Sequence, residues 1–250
     1  MNLSCRTSCE NVRSPQSQSS LGYARTGQLP TLALRITAGI IPCLYLGIAT
    51  PALATDEAFE LWLAPSVRGQ LDHNTALRVE TAQRFRDAND GRPDTYFVRL
   101  WISQRVSQNF TVEGAVERRE NDGGCDETRL LQQVVAQNGI FRNRLRLEQR
   151  FIDNTPQTGW RLRSEHGLRI DLDAGKKWFF RADAEFFFTL QCNSIGGQTG
   201  FTEKRSQAGL GHRFNPQLSA SLSYKRVQTI RRERPDLVGH VPMIHIDYSF

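Results

Sequence analysis

The chain has 250 residues, 39% of them hydrophobic, a mean hydropathy of −0.47 and a formal net charge of +6. Past its N-terminal region no stretch approaches the roughly 20 consecutive apolar residues of a membrane helix, so a mature chain that spans a membrane must do so as a closed barrel. Residues 1–54 hold four arginines against Glu10, so the charge of the remainder falls to near +3, which is no nucleic-acid signature and argues against such a partner.

At the N-terminus, Arg35 precedes an uncharged apolar run from Ile36 to Ala52. The run closes on Ala52-Leu53-Ala54, a small-x-small site, and Thr55-Asp56-Glu57 then turns polar, which predicts signal cleavage between Ala54 and Thr55. Residues 1–54 are thus read as an N-terminal extension with a signal peptide, and 55–250 as one barrel domain. The stretch 1–30 is long, polar and Ser/Gln-rich for a leader, so either the leader is unusual or translation starts later. A retained anchor is the competing reading; it fits less well because the run is short and ends in a cleavage site. Pro42 before Cys43 argues against lipidation.

From Phe59–Val67 onward the chain alternates with period two. Leu77, Val79 and Phe85 oppose Arg78, Glu80, Arg84 and Arg86, and Tyr96, Val98, Leu100 and Ile102 oppose Arg99 and Arg105. Phe110, Val112 and Val116 oppose Glu113 and Glu117. The clearest stretch sets Phe141, Leu145, Leu147 and Phe151 against Arg142, Arg144, Arg146, Glu148 and Arg150. Trp160, Leu162, Leu168 and Ile170 then oppose Arg161, Arg163, Glu165, Arg169 and Asp171. Trp178, Phe180, Ala182, Ala184, Phe186 and Phe188 oppose Arg181, Asp183 and Glu185, and Leu218 to Tyr224 alternate with serines and Lys225. A strand sends such residues to opposite faces, whereas a helix would scatter them. The segments run about 10 to 14 residues, against about 5 to 6 in ordinary soluble strands.

Short connections near 107–109, 138–139, 173–175 and 215–217 alternate with longer polar ones near 87–94, 120–126, 152–158, 191–199 and 228–239. This predicts an all-β fold, an antiparallel transmembrane β-barrel of 10–12 strands with short periplasmic turns and longer outer loops. Eleven segments are counted, with the first running in the same direction as the last. In a closed antiparallel barrel that implies a missed strand or an irregular first segment.

Alternation alone does not say which face is wet. Strand length and number exceed an eight-stranded soluble barrel, and Arg142, Arg144 and Arg146 in one row exceed what a solvated surface needs. The end of the chain, Ile244, Ile246, Tyr248 and Phe250 spaced by two, looks like the signal by which barrel-assembly machinery takes up its clients. The expected location is the bacterial outer membrane after export to the periplasm, among membrane lipid and lipopolysaccharide. Cys125 and Cys192, both in Gly-containing loops, are an even pair in an exported domain and a candidate disulfide, with two free thiols as the alternative.

Leu77-Arg78-Val79-Glu80 through Arg84, Arg144-Leu145-Arg146-Leu147-Glu148-Gln149-Arg150-Phe151, Gly159-Trp160-Arg161-Leu162-Arg163, Ala184-Glu185-Phe186-Phe187, and Phe201 to Arg205 leading into Gly209-Leu210-Gly211 form a set of stretches. Together they resemble an uncharacterised bacterial family, domain of unknown function 2490. The resemblance implies outer-membrane placement and carries no activity.

In a membrane barrel the charged face lines the lumen: Arg78, Glu80, Arg84, Arg99, Glu113, Glu117, Arg142, Arg144, Arg146, Glu148, Arg161, Arg163, Glu165, Arg181, Glu185 and Glu203. Opposite charges on adjacent strands should pair, because unpaired burial is costly. The expected function is structural, a narrow charge-lined barrel. A porin-like channel preferring anions is the first alternative. The second is a lipid-modifying hydrolase or acyltransferase, with His245, Asp247 and Ser249 on one strand face or Ser164 and His166 on another as candidates. Residues i and i+2 on a strand sit near 7 Å apart, so such a pair bonds only if the side chains lean together. The basic run Arg231-Arg232-Glu233-Arg234 could contact lipopolysaccharide phosphates or be a plain solvated loop. No metal-ligand cluster, phosphate loop or dinucleotide fingerprint appears in the mature chain, so no cofactor or metal is expected.

Overall fold

The computed structural model describes residues 55–87 and 92–250. The leader and the residue on the N-terminal side of the expected cleavage site, Ala54, lie outside them. Eleven strands follow in order: β1 (Asp56–Gln70), β2 (Thr75–Arg86), β3 (Thr95–Arg105), β4 (Phe110–Asn121), β5 (Glu127–Asn138), β6 (Phe141–Ile152), β7 (Gly159–Asp171), β8 (Trp178–Gln191), β9 (Gly200–Arg213), β10 (Leu218–Thr229) and β11 (Leu237–Ser249). Each pairs antiparallel with its chain neighbour, and the sheet closes between β1 and β11.

That closing seam corrects the expectation of a wholly antiparallel wall. Ten antiparallel steps, an even number, bring the first and last of eleven strands side by side in the same direction, so β1 pairs parallel with β11, from Asp56↔Leu237 to Arg68↔Ser249. The eleven strands of the described residues close the wall, and the first segment is a full member of it. Its pairing lapses between Phe59↔His240 and Trp62↔Met243, beside Pro242, and on its other side between Leu63↔Gln83 and Ser66↔Glu80, beside Pro65. A proline has no N–H to give the ladder, so both lapses follow from sequence. Backbone bonds extend the seam at both ends, from Asp56 N to Asp236 O at 3.0 Å and from Phe250 N to Arg68 O at 3.0 Å.

The connections 71–74, 106–109, 139–140, 172–177 and 214–217 lie at one end, and 122–126, 153–158, 192–199 and 230–236 at the other, together with the end of β2 and the start of β3. The length contrast is weaker than the sequence suggests, since 122–126 is shorter than 172–177. The tightest turn contains Gly139 at φ 57°, where a side chain would be strained. Asp72 and Asn215 stabilise two others by accepting amides two and three residues on.

Period two separates the faces as strand geometry requires. Outward stand Val79, Val98, Leu100, Ile102, Val112, Val116, Leu145, Leu210, Leu222, Ile244 and Ile246, all exposed. Exposed aromatics collect near both ends of this face: Phe59, Phe85, Tyr96, Phe151, Phe188 and Phe201 toward the longer connections, and Phe110, Phe141, Trp178, Phe214, Tyr248 and Phe250 toward the shorter turns. Inward stand charged residues, among them buried Arg99, Glu117, Arg119, Glu127, Arg129, Arg146, Glu148, Arg163, Glu165 and Glu185. The interior also holds a small apolar cluster of Trp62, Val241 and Met243, flanked by Ala64 and Val227, along the seam.

Candidate functional site

The interior forms one cavity of about 2040 Å³, lined from Arg68 and Pro216 near the short turns to Gly124 and Asn154 near the longer connections. All the charged residues expected to face inward line it except Glu117 and Glu148. Those two lie beneath the arginines, at 0% exposure.

Their burial is matched by charge. Glu117 on β4 accepts Arg99 Nε at 2.7 Å and Arg119 Nη2 at 2.8 Å, with Arg129 at 3.5 Å. Glu148 on β6 accepts Arg161 and Arg163, each at 2.6 Å, with Arg146 at 3.7 Å. Arg163 passes on to Glu185 at 2.8 Å, which also takes Arg144 at 2.5 Å; Arg144 returns to Glu165, which holds Arg142 at 2.8 Å. On the other side Glu80 joins Arg78 at 2.7 Å, Arg99 at 2.8 Å and the Trp101 indole N–H at 2.9 Å. Glu113 accepts Gln133, whose Oε1 takes Arg146 Nε at 2.7 Å. Side-chain links thus run without a break from β2 to β8. Guanidinium forks on shared carboxylates give short, directional, charge-assisted bonds, which is what lets charges of this density stay buried.

Sequence reading missed several members: Arg119, Glu127 and Arg129, which extend the lattice, and the inward aromatics; Arg150, placed on the charged face of β6 by the alternation, joins Glu127. Arg163 lies 4.4 Å from the Phe187 ring centre, Arg169 3.7 Å from Phe179, and Arg146 5.0 Å from Trp101. Their strand parity was readable; their stacking partners sit on other strands and were not.

Charge matching fails beside Trp62. Trp62, whose indole N–H donates to Glu60 at 2.6 Å, carries Arg84 at 3.9 Å, Lys225 at 5.1 Å and Arg205 at 5.5 Å from its ring centre. Arg205 has Glu203 as partner. Arg84 and Lys225 make neither a hydrogen bond nor an ion pair among the described residues, and Arg84 Nε is buried without an acceptor. Both are held by the ring face.

On the outward face a separate polar group interrupts the apolar wall. Ser164 and His166 sit two apart on β7, and Asn143 on β6 pairs directly with His166. Ser164 Oγ lies 3.0 Å from His166 Nε2, and His166 Nδ1 lies 2.8 Å from Asn143 Oδ1. The lean that the i, i+2 spacing requires is therefore present, and Asn143 is a third member that only the β6–β7 register reveals. Leu145 and Phe186 flank Ser164 from the two neighbouring strands, and the Phe186 ring centre is 6.4 Å from that of His166.

The other set does not come together. His245, Asp247 and Ser249 face the lumen, but Asp247 accepts Ser66 Oγ at 2.6 Å and His245 Nε2 is buried with no partner. Arg231 of the basic loop reaches Asp56 at 2.8 Å and Arg232 the Thr199 carbonyl at 2.9 Å, so that loop is tied to the rim. Cys125 and Cys192 are both disulfide-bonded. Among the described residues, no group of three His, Cys, Asp or Glu side chains could hold a metal ion.

A closed eleven-stranded barrel with a cross-linked charged interior and an apolar outer wall belongs to the all-β barrel proteins. More narrowly, the chain belongs to the family described as protein of unknown function (DUF2490), whose model matches residues 59–237. The match runs from within β1 to the first residue of β11 and includes Asn143, Ser164 and His166. No curated protein matches the chain.

Proposed function

We propose that this protein is an exported outer-membrane β-barrel of structural character, its restricted lumen held by the arginine–glutamate lattice. The observation that carries the reading is the inversion of polarity, with charge inside and apolar side chains outside. In water an apolar wall of this extent would cost about 25 cal/mol for each Å² exposed and far exceed the few hundred Å² a soluble monomer tolerates. In lipid it costs nothing, and closure leaves no unpaired strand edge. The two aromatic belts suit the two interfaces of a bilayer. The short turns then face the periplasm, β11 with Tyr248 and Phe250 is offered to the assembly machinery, and the basic loop faces lipopolysaccharide.

Fractionation of a Gram-negative host expressing the full chain tests this. The expected result is a processed protein in the outer-membrane fraction that resists urea extraction and migrates faster on gels before heating. Recovery in the soluble periplasm overturns the reading.

A second reading, a narrow path for anions, is favoured by the unmatched Arg84 and Lys225. It predicts steady anion-preferring conductance in planar bilayers that is lost in the Arg84→Glu, Lys225→Glu double variant. An inserted but silent protein removes this reading and leaves the first.

A further inference from the structure

We propose that Ser164, His166 and Asn143 are the nucleophile, base and orienting group of an esterase site on the outer wall, acting on the acyl esters of membrane lipids. Three observations carry it. First, the atoms are those that nucleophilic catalysis uses: the hydroxyl meets Nε2 at 3.0 Å, and the other ring nitrogen is held at 2.8 Å by a third side chain. With Nδ1–H donating to Asn143 Oδ1, Nε2 is the free base that accepts the serine proton. An amide fills the orienting role in cysteine–histidine–asparagine sites, so a carboxylate is not required. Second, His166 and Asn143 are exposed and Ser164 is half-exposed, on the face opposite the lumen lattice. None of the three is consumed by an ion pair. Third, the surroundings suit an acyl chain: Leu145, Leu162, Phe186 and Phe188 stand on the same outward face, with Phe201 5.6 Å from Phe188. This inference takes its substrate from the membrane placement proposed above; the geometry of the three residues does not depend on it.

The chemistry balances with lipid and water alone. Ser164 Oγ bonds to the ester carbonyl carbon as its proton passes to His166 Nε2. The carbon–oxygen bond to the glycerol breaks, and His166 returns that proton to the departing oxygen, leaving a lysolipid and an acyl-Ser164 ester. Water then attacks the ester, gives a proton to His166, and Ser164 recovers it as the fatty acid leaves. An acceptor alcohol in place of water makes the same step an acyl transfer.

Full-length protein in detergent is tested with a fluorophosphonate probe, a short-chain nitrophenyl ester, and mixed micelles of phosphatidylethanolamine, with gel mobility before and after heating to verify folding. The expected result is a single probe adduct at Ser164 and hydrolysis of both esters that falls ~1,000-fold in Ser164→Ala and His166→Ala. Asn143→Ala should lose roughly 10-fold or more and displace the acid limb of the pH–rate profile, while Asn143→Asp restores much of both. A purely structural asparagine would leave that limb in place. Folded protein that takes no probe and hydrolyses no faster than Ser164→Ala overturns the site. Because probe and nitrophenyl ester are soluble, the site can stand if membrane placement fails, and membrane placement can stand if the site fails.

Discussion

Phe250 lays its ring across Gly69: a Cβ built on Gly69 would come within 2.9 Å of the ring's Cζ. The contact sits at the end of the parallel seam, where Gln70 N also donates to Phe250 O at 3.3 Å. A side chain at position 69 would have to displace the ring, which covers backbone the glycine leaves bare. Gly69→Val should destabilise the barrel by about 1–3 kcal/mol through overpacking. Phe250→Ala in the same chain should relieve part of that loss, since residues in contact are not additive. Urea unfolding in detergent, followed by gel mobility, measures both.

Glu148, like Glu117, has no exposed surface and carries three arginines. Glu148→Gln removes the carboxylate that those cations share and is expected to cost about 3–5 kcal/mol. Glu120→Gln, on the outward face and exposed, should change stability by less than about 0.5 kcal/mol. The same unfolding measurement distinguishes them; equal effects would mean that the lattice does not hold the barrel.

Cys125 and Cys192 are the cysteines of the described residues, and both are oxidised. Peptide mapping without reductant is expected to recover one cross-linked pair joining the 122–126 and 192–199 connections. Closing so long a stretch of chain is worth about 4 kcal/mol in the chain-entropy account. Reduction, or Cys125→Ser, should therefore lower the urea midpoint while leaving the folded mobility intact.

Asp173 organises the turn between β7 and β8. The backbone N–H of Trp178, at 2.6 Å, and that of Lys177 hold its carboxyl below the usual value of 3.8. A carboxylate depressed by folding stabilises the turn fully above pH 3.8, and that contribution is lost as pH falls through the lower folded value. Asp72 behaves alike in the β1–β2 turn, through the amides of Asn74 and Thr75. Amide shifts of Trp178 and Asn74 should hold steady down to about pH 4 and move only below it. In Asp173→Ala the Trp178 shift should lose its acid transition.

On β6 the alternation of Phe141, Leu145, Leu147 and Phe151 with Arg142, Arg144, Arg146, Glu148 and Arg150 was sufficient to predict a long strand with one charged and one apolar face. Period-two patterning is a local property of the backbone, so most strands, turns and inward residues were readable from the chain alone, although the inward charges of β5 were not picked out. The closing seam was not. Eleven segments with matching first and last directions looked like a miscount, because whether Asp56–Gln70 lies against Leu237–Ser249 depends on contacts between opposite ends of the domain.

The sites divide in the same way. Ser164 and His166 were visible as a pair of suitable types on the apolar face, and the sequence alone could place them no nearer than strand spacing allows. Asn143 joins them only because β6 meets β7 in the register that sets it opposite His166. Likewise, composition announced a surplus of arginine, but which cations lack a carboxylate depended on side chains from β1, β2, β9 and β10 converging on Trp62. Local periodicity sets which face a residue occupies; partners across strands depend on register and closure, which no single segment of sequence encodes.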